Sequence, residues 1–247
     1  MRVLSTGLAA LVLLTAGGLA RAEDQARATI DRAIKAVGGE ETLKAWQSMT
    51  WKVKGKMHVM GQSMPYTADY FFQSPNKVRF DMAMNFQGQD MKLSVMSNGE
   101  KAWEIGMGQE REMEAGKFKE FKHTGYAMNV TMLMPLKDPA YKLTSLGDSQ
   151  EEGKTLAGVK VSREGQRDVS LFFDKATGLL YKSAYRAYDE FENKEVNQEV
   201  YFQNYQDKDG KKFFTNMTIK RDGKVFLEEE LSHQQSKQFE AKFFEKS

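Results

Sequence analysis

The sequence predicts a mainly β protein with helices, an α+β fold built on one antiparallel sheet. Apolar side chains recur at every second residue from Trp51 to Ile105 and again from Tyr141 onward, which is the period of half-buried strands. Two segments break this period with helical spacing, one at the start of the chain and one in its middle. Four prolines and no low-complexity linker in 247 residues favour a single domain.

The first residues predict a secretory signal peptide over residues 1–22. The basic residue Arg2 precedes an apolar run from Leu8 to Leu14, and the small-residue exit Ala20-Arg21-Ala22 predicts cleavage near Ala22. The apolar run is too short for a membrane-spanning helix. We therefore expect an exported protein whose mature domain is formed by residues 23–247.

Composition narrows the classes of function. The chain has no cysteine, so we expect no acylated lipid anchor, no disulfide and no thiolate metal site. Removal of residues 1–22 deletes Arg2 and Arg21 and no acid, so the formal net charge falls by two, from +2 to 0. A neutral domain lacks the basic surface of a nucleic-acid-binding protein.

Three helices are predicted. Residues Asp24 to Val37 carry apolar side chains at helical spacing and meet the stop signal Gly38-Gly39, after which Glu40 to Trp46 fits a second, short helix. The third covers Lys117 to Met134, with an interruption at Gly125. Because their apolar stripes must be buried, the helices should pack on the sheet, and we expect the third to lie over its open side.

The strands of the first half share one apolar face. Five strands between Trp51 and Ile105 alternate apolar residues with charged ones such as Lys52 and Lys54. The turn Ser97-Asn98-Gly99 links the fourth strand to the fifth. Seven further strands are predicted from Tyr141 onward, which makes about a dozen strands with one inserted helix.

Methionine dominates the apolar face of the first half, since thirteen of the fifteen methionines lie between Met49 and Met134. Ordinary core filling is one interpretation, because methionine adapts to irregular gaps. The other is a hydrophobic cavity between the sheet and the mid-chain helix, which would accept ligands of variable shape. In the second interpretation, the ligand-binding residues are Phe72, Phe80, Met82, Met84, Phe86, Met91, Leu93, Val95 and Trp103 on the sheet, and Met128 and Met132 on the helix.

The sequence predicts no catalytic residue, no metal site and no cofactor. The chain has neither a nucleophile elbow nor a phosphate-binding loop. Glu120-x-x-His123 matches half of a di-metal carboxylate motif, but a solvent-exposed helix face explains it better. An enzyme would need polar groups that converge in a cleft, and Glu104, Glu110 and Tyr126 are the candidates for them.

Several segments follow one another in the order of a known family. They are Ser74-Pro75-Asn76 leading to Val78-Arg79-Phe80, the hairpin from Ser97 to Trp103, and the hairpin from Phe173 to Tyr181. With the signal peptide and the helices, they make the chain resemble the LolA/LolB-like superfamily, the periplasmic carriers of outer-membrane lipoprotein sorting. The resemblance spans nearly the whole mature chain.

The resemblance implies an incomplete antiparallel β-barrel of about eleven strands, covered by an N-terminal helix and a mid-chain helix. It further implies an exported periplasmic carrier or binder of lipids, lipoproteins or other lipophilic ligands, with acyl chains as ligands and envelope transport proteins as partners. The chain departs from the lipoprotein carrier at Ser74, where that carrier has an arginine that holds its lid closed. The alternative hypothesis is a non-enzymatic structural or protein-interaction module of the cell envelope, whose core is filled by its own side chains.

Overall fold

The computed structural model describes residues 10–59, 61–86, 88–106 and 108–246, and it has the predicted α+β fold. The α-helices are α1 (Ala10–Ala36), α2 (Glu40–Ala45) and α3 (Ala115–Thr131), and two 3-10 helices cover Met134–Lys137 and Ala241–Phe244. The strands are β1 (Ser48–Val59), β2 (Gln62–Gln73), β3 (Lys77–Phe86), β4 (Gln89–Ser97), β5 (Ala102–Gly106), β6 (Gln109–Glu112), β7 (Lys142–Glu151), β8 (Lys154–Ser162), β9 (Val169–Asp174), β10 (Leu180–Asp189), β11 (Lys194–Lys208), β12 (Lys211–Arg221) and β13 (Lys224–Ser236).

One antiparallel sheet consists of two meanders joined along a central pair of strands. Its order is β6-β5-β4-β3-β2-β1-β13-β12-β11-β10-β9-β8-β7, so the first strand pairs with the last. In this central pair Val53 lies opposite Leu231. Over the residues that the structure describes, the sheet has thirteen strands, compared with the implied number of about eleven. The short strand β6 reads Gln-Glu-Arg-Glu, and without an apolar residue it gives no signal of hydrophobic period.

The apolar stripe predicted for the first helix is buried, and α1 packs on β7 and β8. α1 is not confined to the predicted start at Asp24, because residues 10–23, which belong to the segment assigned to the signal peptide and its exit, are also helical. Residues 1–9 lie outside the described residues, so cleavage near Ala22 stays a prediction. No helix among the described residues is long and apolar enough to cross a membrane. The buried stripe comprises Ala26, Ile30, Ala33, Ile34 and Val37.

Gly38 and Gly39 end α1 as predicted. Their φ angles are 107° and 86°, in the region that favours glycine. A side chain at position 38 would also place its Cβ 2.7 Å from the carbonyl oxygen of Gly210, so the close approach of the β11–β12 turn requires glycine there. α2 follows at Glu40 and ends at Ala45, one residue before the predicted end.

The mid-chain helix α3 differs from its prediction. It passes through Gly125 without the expected interruption, and it ends at Thr131 rather than at Met134. The chain then turns at Leu133, whose φ of 62° is uncommon for a residue with a large side chain. This turn buries Leu133 and Leu136 in the main core, which explains the early end of the helix.

The register of β4 and β5 corrects the predicted position of Trp103. Ser97 pairs with Ala102, so Trp103 lies opposite Met96 and on the other face of the sheet from Val95. The prediction was wrong because the connection between these strands is longer than the assumed tight turn. A register change of one residue moves a side chain to the opposite face.

The C-terminal segment covers the outer face beside Trp103. Phe71, Arg79, Met96 and Trp103 share one row across the sheet. The ring centroids of Phe243 and Phe71 are 5.0 Å apart, and Cζ of Arg79 lies 5.1 Å from the ring centroid of Phe243. This packing explains how apolar residues are buried on both faces of this part of the sheet.

Candidate ligand-binding cavity

A cavity of about 360 Å³ lies between the inner face of the sheet and α3. This volume is within the range of small-molecule sites, roughly 300–1,000 Å³. Strands β1 to β3 and β10 to β13 form its walls, α3 covers it, and the α1–α2 segment closes one end. Its apolar and aromatic lining consists of Val37, Leu43, Trp46, Met49, Trp51, Tyr70, Val78, Phe80, Phe121, Ala127, Met128, Met132, Leu133, Leu180, Tyr185, Ala187, Tyr188, Val200, Phe202, Tyr205, Phe213, Phe214, Met217, Ile219, Phe226, Leu227 and Leu231.

Three of the predicted ligand-binding residues line this cavity: Phe80, Met128 and Met132. Phe80 belongs to the inner face of β3, Met128 to α3, and Met132 to the C-terminal end of α3. The three side chains border the same cavity because α3 lies across the inner face of the sheet, as expected for the third predicted helix. Their contact with a ligand stays a prediction.

Met82 and Met84 point to the inner face but pack against protein side chains. Met82 is buried in a cluster with Val53 and Tyr66, and Met84 packs against the same cluster. Neither lines the cavity. At this end of the inner face, the interpretation of methionine as core filling is therefore the better one.

Phe72 and Val95 are also buried away from the cavity. Phe72 is almost fully enclosed, at 1% exposure. Val95 belongs to a small cluster against which Phe118 and Phe121 of α3 pack. The N-terminal half of α3 thus contacts the inner face of β4, and it fills the space that the prediction left for a ligand.

Three of the remaining predicted residues, Met91, Leu93 and Trp103, lie elsewhere. Met91 and Leu93 are exposed, at 38% and 36%, because they lie near the end of the β3–β4 hairpin. Trp103 is on the outer face. The side chain of Phe86 lies outside the described part of the chain. A period of two identifies the face of a strand, but it does not identify what covers that face.

Most of the cavity wall comes from the C-terminal strands, which the prediction left out. Tyr185 and Ala187 alternate on β10, Val200 and Phe202 alternate on β11, and Met217 faces the same space from β12. The two-residue period of these strands is a signal that could have found them. The concentration of methionine before residue 134 favoured the first half instead.

One acid, Glu229 on β13, is buried in the cavity wall. Its Oε1 accepts hydrogen bonds from the hydroxyls of Tyr66 and Tyr70, at 2.5 and 3.2 Å. Burial raises the pKa of the Glu229 carboxyl, and the two hydrogen bonds partly oppose this rise. Burial and the nearby Glu229 hold the pKa of the Tyr70 hydroxyl well above its usual value, so Tyr70 stays a donor.

The raised pKa of Glu229 predicts a difference in pH dependence between the wild type and Glu229→Gln. Because the folded state holds the proton more tightly than the unfolded state, the free energy of unfolding falls as the pH rises from about 4.5 through the folded-state pKa. Glutamine does not titrate, and its side-chain oxygen can still accept from Tyr66. Urea unfolding at pH values between about 4.5 and about 8 should therefore show that the free energy of unfolding falls less for the variant than for the wild type. Equal slopes for both proteins would contradict the desolvation of this carboxyl.

Ion pairs hold α3 over the cavity. Glu120 accepts two hydrogen bonds from the guanidinium of Arg167, at 2.6 and 3.0 Å. Lys117 of α3 lies 2.5 Å from Glu104 of β5. Since Arg167 belongs to the β8–β9 connection, the two contacts link α3 to both meanders.

Ser74 also contacts α3. Its Oγ donates a hydrogen bond of 3.2 Å to Oδ1 of Asn129, which is buried on the helix. Ser74 occupies the position at which the family resemblance predicts a lid-holding arginine. The protein therefore has a neutral hydrogen bond to the covering helix at that position.

The sheet register separates the acids that were considered for catalysis. Glu104 pairs across the strands with Arg111, whereas Glu110 pairs with Ile105, so the two glutamates lie on opposite faces. Within the described ranges, no group of three or more His, Cys, Asp or Glu side chains could hold a metal ion. The geometry gives no support to a cleft shared by Glu104 and Glu110.

Comparison with known proteins identifies the fold. No family model matches the chain, and no curated protein matches it. A solved LolA superfamily protein from Nitrosomonas europaea is similar at a TM-score of 0.58 and 10% identity, over 90% of this chain and 97% of that one. A DUF1329 family protein from Desulfovibrio piger has a TM-score of 0.54 and 15% identity over the same shares. A domain from Vibrio parahaemolyticus that is named for outer-membrane lipoprotein sorting has a TM-score of 0.52 and 11% identity, over 87% of this chain and 97% of that one.

These similarities define the class of fold. The protein is an open antiparallel sheet with helices against its inner face, and this arrangement is a LolA-like fold. The fold that the resemblance implied is therefore confirmed. At sequence identities of 10% to 15%, the likeness concerns the fold alone.

Proposed function

We propose that the protein is an exported carrier or binder of lipids, lipoproteins or other lipophilic ligands, whose acyl chains it holds beneath α3. The apolar cavity of about 360 Å³ is the observation that supports this proposal. Each methylene that moves from water into such a cavity contributes about 0.8 kcal/mol. Burial of a chain of several methylenes therefore supplies a useful affinity without any polar contact.

The proposed setting is the periplasm, with envelope transport proteins as partners and no membrane anchor. The predicted signal peptide over residues 1–22 supports export. The similar domain from Vibrio parahaemolyticus is named for outer-membrane lipoprotein sorting, which supports a role in that process.

Loading and release require α3 to move. The contacts that hold this helix include the Arg167–Glu120 and Lys117–Glu104 ion pairs, whose side chains are about a quarter to two-fifths exposed. Partly exposed ion pairs contribute about 0.2–1 kcal/mol each. A ligand or partner that binds the protein with α3 open only modestly more tightly than with α3 closed is therefore enough to shift the populations of the two positions.

The alternative is a structural or protein-interaction module with a self-filled core. The packing of Met82 and Met84 favours it at one end of the inner face. The cavity between α3 and the β10–β12 region, lined by residues such as Tyr185 and Phe202, supports the carrier, because side chains leave space there.

A fluorescent acyl chain with an uncharged headgroup tests the proposal. We expect saturable uptake of about one probe per protein, and competition by an unlabelled chain of the same headgroup. Fluorescence titration of the purified mature domain measures both. A stable, folded protein that takes up no probe would favour the self-filled module.

A further inference from the structure

Lys212 on β12 is a cation in the wall of a largely apolar cavity. Among the described residues, three charged ones line this cavity: Lys212, Arg221 and Glu229. Arg221 donates hydrogen bonds of 3.0 Å to both Asp189 and Gln198, and Glu229 accepts from two tyrosines. Lys212 makes no ion pair and no side-chain hydrogen bond with the part of the chain that the structure describes. Its charge is therefore available to a ligand.

The α1–α2 segment fixes the end of the cavity at which Lys212 lies. The backbone N–H of Lys212 donates a hydrogen bond of 3.2 Å to the carbonyl oxygen of Val37, the residue that follows α1. Val37, Leu43 and Trp46 line the cavity beside it. The cation thus lies at one end of the apolar space and not in the middle of its wall.

The register of β11 and β12 places the side chain of Lys212 on the inner face. Tyr205 pairs with Phe214, and Asp207 pairs with Lys212. The rings of Tyr205 and Phe214, with centroids 6.2 Å apart, pack against the main core. Residues two apart on a strand share a face, so Lys212 points to the same side of the sheet as Phe214.

The ammonium of Lys212 is accessible. The residue is half-buried, and its Nζ is not enclosed by protein atoms. Asp207, the acid opposite it, accepts a hydrogen bond of 2.9 Å from the backbone N–H of Gly210 within the β11–β12 turn. An ammonium group has donors and no acceptor, and its strongest hydrogen bonds are those to an anionic oxygen.

We propose that Lys212 binds the anionic head of an acyl-chain ligand, whose chain extends from the α1 end of the cavity beneath α3. Its Nζ donates a charge-assisted hydrogen bond to an oxygen of the head. A carboxylate and a phosphate ester offer the same acceptor oxygens, and both belong to this class. The inference rests on the proposed function and adds the charge of the ligand and the direction in which it lies.

Four ligands of one chain length test the proposal: dodecanoic acid, dodecyl phosphate, dodecanol and dodecylamine. Their dissociation constants are measured by calorimetric titration below the micellar range at about pH 8, where the free acid is ionised. We expect the wild type to bind at least one of the two anions about tenfold or more tightly than the amine. The tighter of the two anions identifies the head as carboxylate or phosphate.

Lys212→Gln removes the charge and keeps a polar side chain. The preferred anion should lose about tenfold or more in affinity, while dodecanol changes by less than about threefold. Lys212→Met keeps the length of the apolar stem, and it replaces Lys212→Gln where that variant does not fold. Lys211→Gln is the matched control, because it removes the same charge from the preceding residue, which is exposed and does not line the cavity. It should leave all four affinities unchanged.

The outcomes separate this inference from the proposed function. Equal binding of anions and amine by the wild type, or a preference for the amine, overturns anion recognition and leaves the carrier proposal in place. An anion preference that survives both Lys212 variants overturns the role of Lys212. If neither the wild type nor the variants bind any of the four ligands, dodecanol included, the carrier proposal fails as well.

Discussion

Met132→Asp is expected to abolish uptake of the uncharged acyl probe, with a loss of at least about 100-fold in affinity. Met132 lines the cavity at the C-terminal end of α3. A carboxylate there must lose its water when an acyl chain enters, and an uncompensated buried charge opposes binding by several kcal/mol. Fluorescence titration of the two proteins measures the loss.

Met91→Asp is the control for this experiment. Met91 lies on β4 with 38% exposure and does not line the cavity, so the same substitution should leave uptake unchanged. Circular dichroism and thermal unfolding establish that both variants are folded. A folded Met132→Asp protein that takes up the probe like the wild type would show that the cavity is not the binding site.

Phe173→Ala is expected to lower the free energy of unfolding by about 3–5 kcal/mol. Phe173 on β9 has 1% exposure and belongs to the main core, together with the buried residues of α1 and of the segment after α3. Truncation leaves a void that these rigid neighbours fill only in part. Urea unfolding monitored by fluorescence measures the difference.

Phe191→Ala removes the same ring from an exposed site and serves as the matched comparison. Phe191 has 56% exposure in the β10–β11 turn, so its truncation should change the free energy of unfolding by less than about 0.5 kcal/mol. Similar effects for the two substitutions would contradict the position of Phe173 in the core.

Local patterns in the sequence predicted the elements of this fold because each element obeys a short-range rule. The buried residues of α1 follow the helical period, and Gly38 ends the helix through its positive φ. The inner face of β1 to β3 follows the strand period. Strand β6 shows the limit of this rule, because it has no apolar residue to reveal a period.

The position of the cavity depends on contacts that local patterns do not contain. The pairing of β1 with β13 brings Trp51 and Glu229 into one wall, although they lie far apart in the chain. The path of α3 decides that Val95 is covered by the helix and that Phe80 borders the cavity. Both follow from long-range packing, so the alternation on the methionine-rich strands identified only part of the site.

Glu229 is the exception, because a local signal for it was present. It lies two residues from Leu227 and from Leu231, so strand alternation places it on the apolar face of β13. An acid at an apolar position of a strand is a candidate functional residue. The run of three glutamates from 228 to 230 obscures this pattern, since two of them are exposed.

The binding of acyl chains in the cavity is the central claim, and native mass spectrometry tests it most directly. The mature protein is purified from the envelope fraction of its host without detergent, and the intact complex and its organic extract are analysed for lipid. We expect one acyl-chain lipid or lipoprotein per wild-type protein. The Met132→Asp protein, purified in the same way, should carry none. A stable protein that carries no lipid and takes up no acyl probe would contradict the claim and favour the self-filled module.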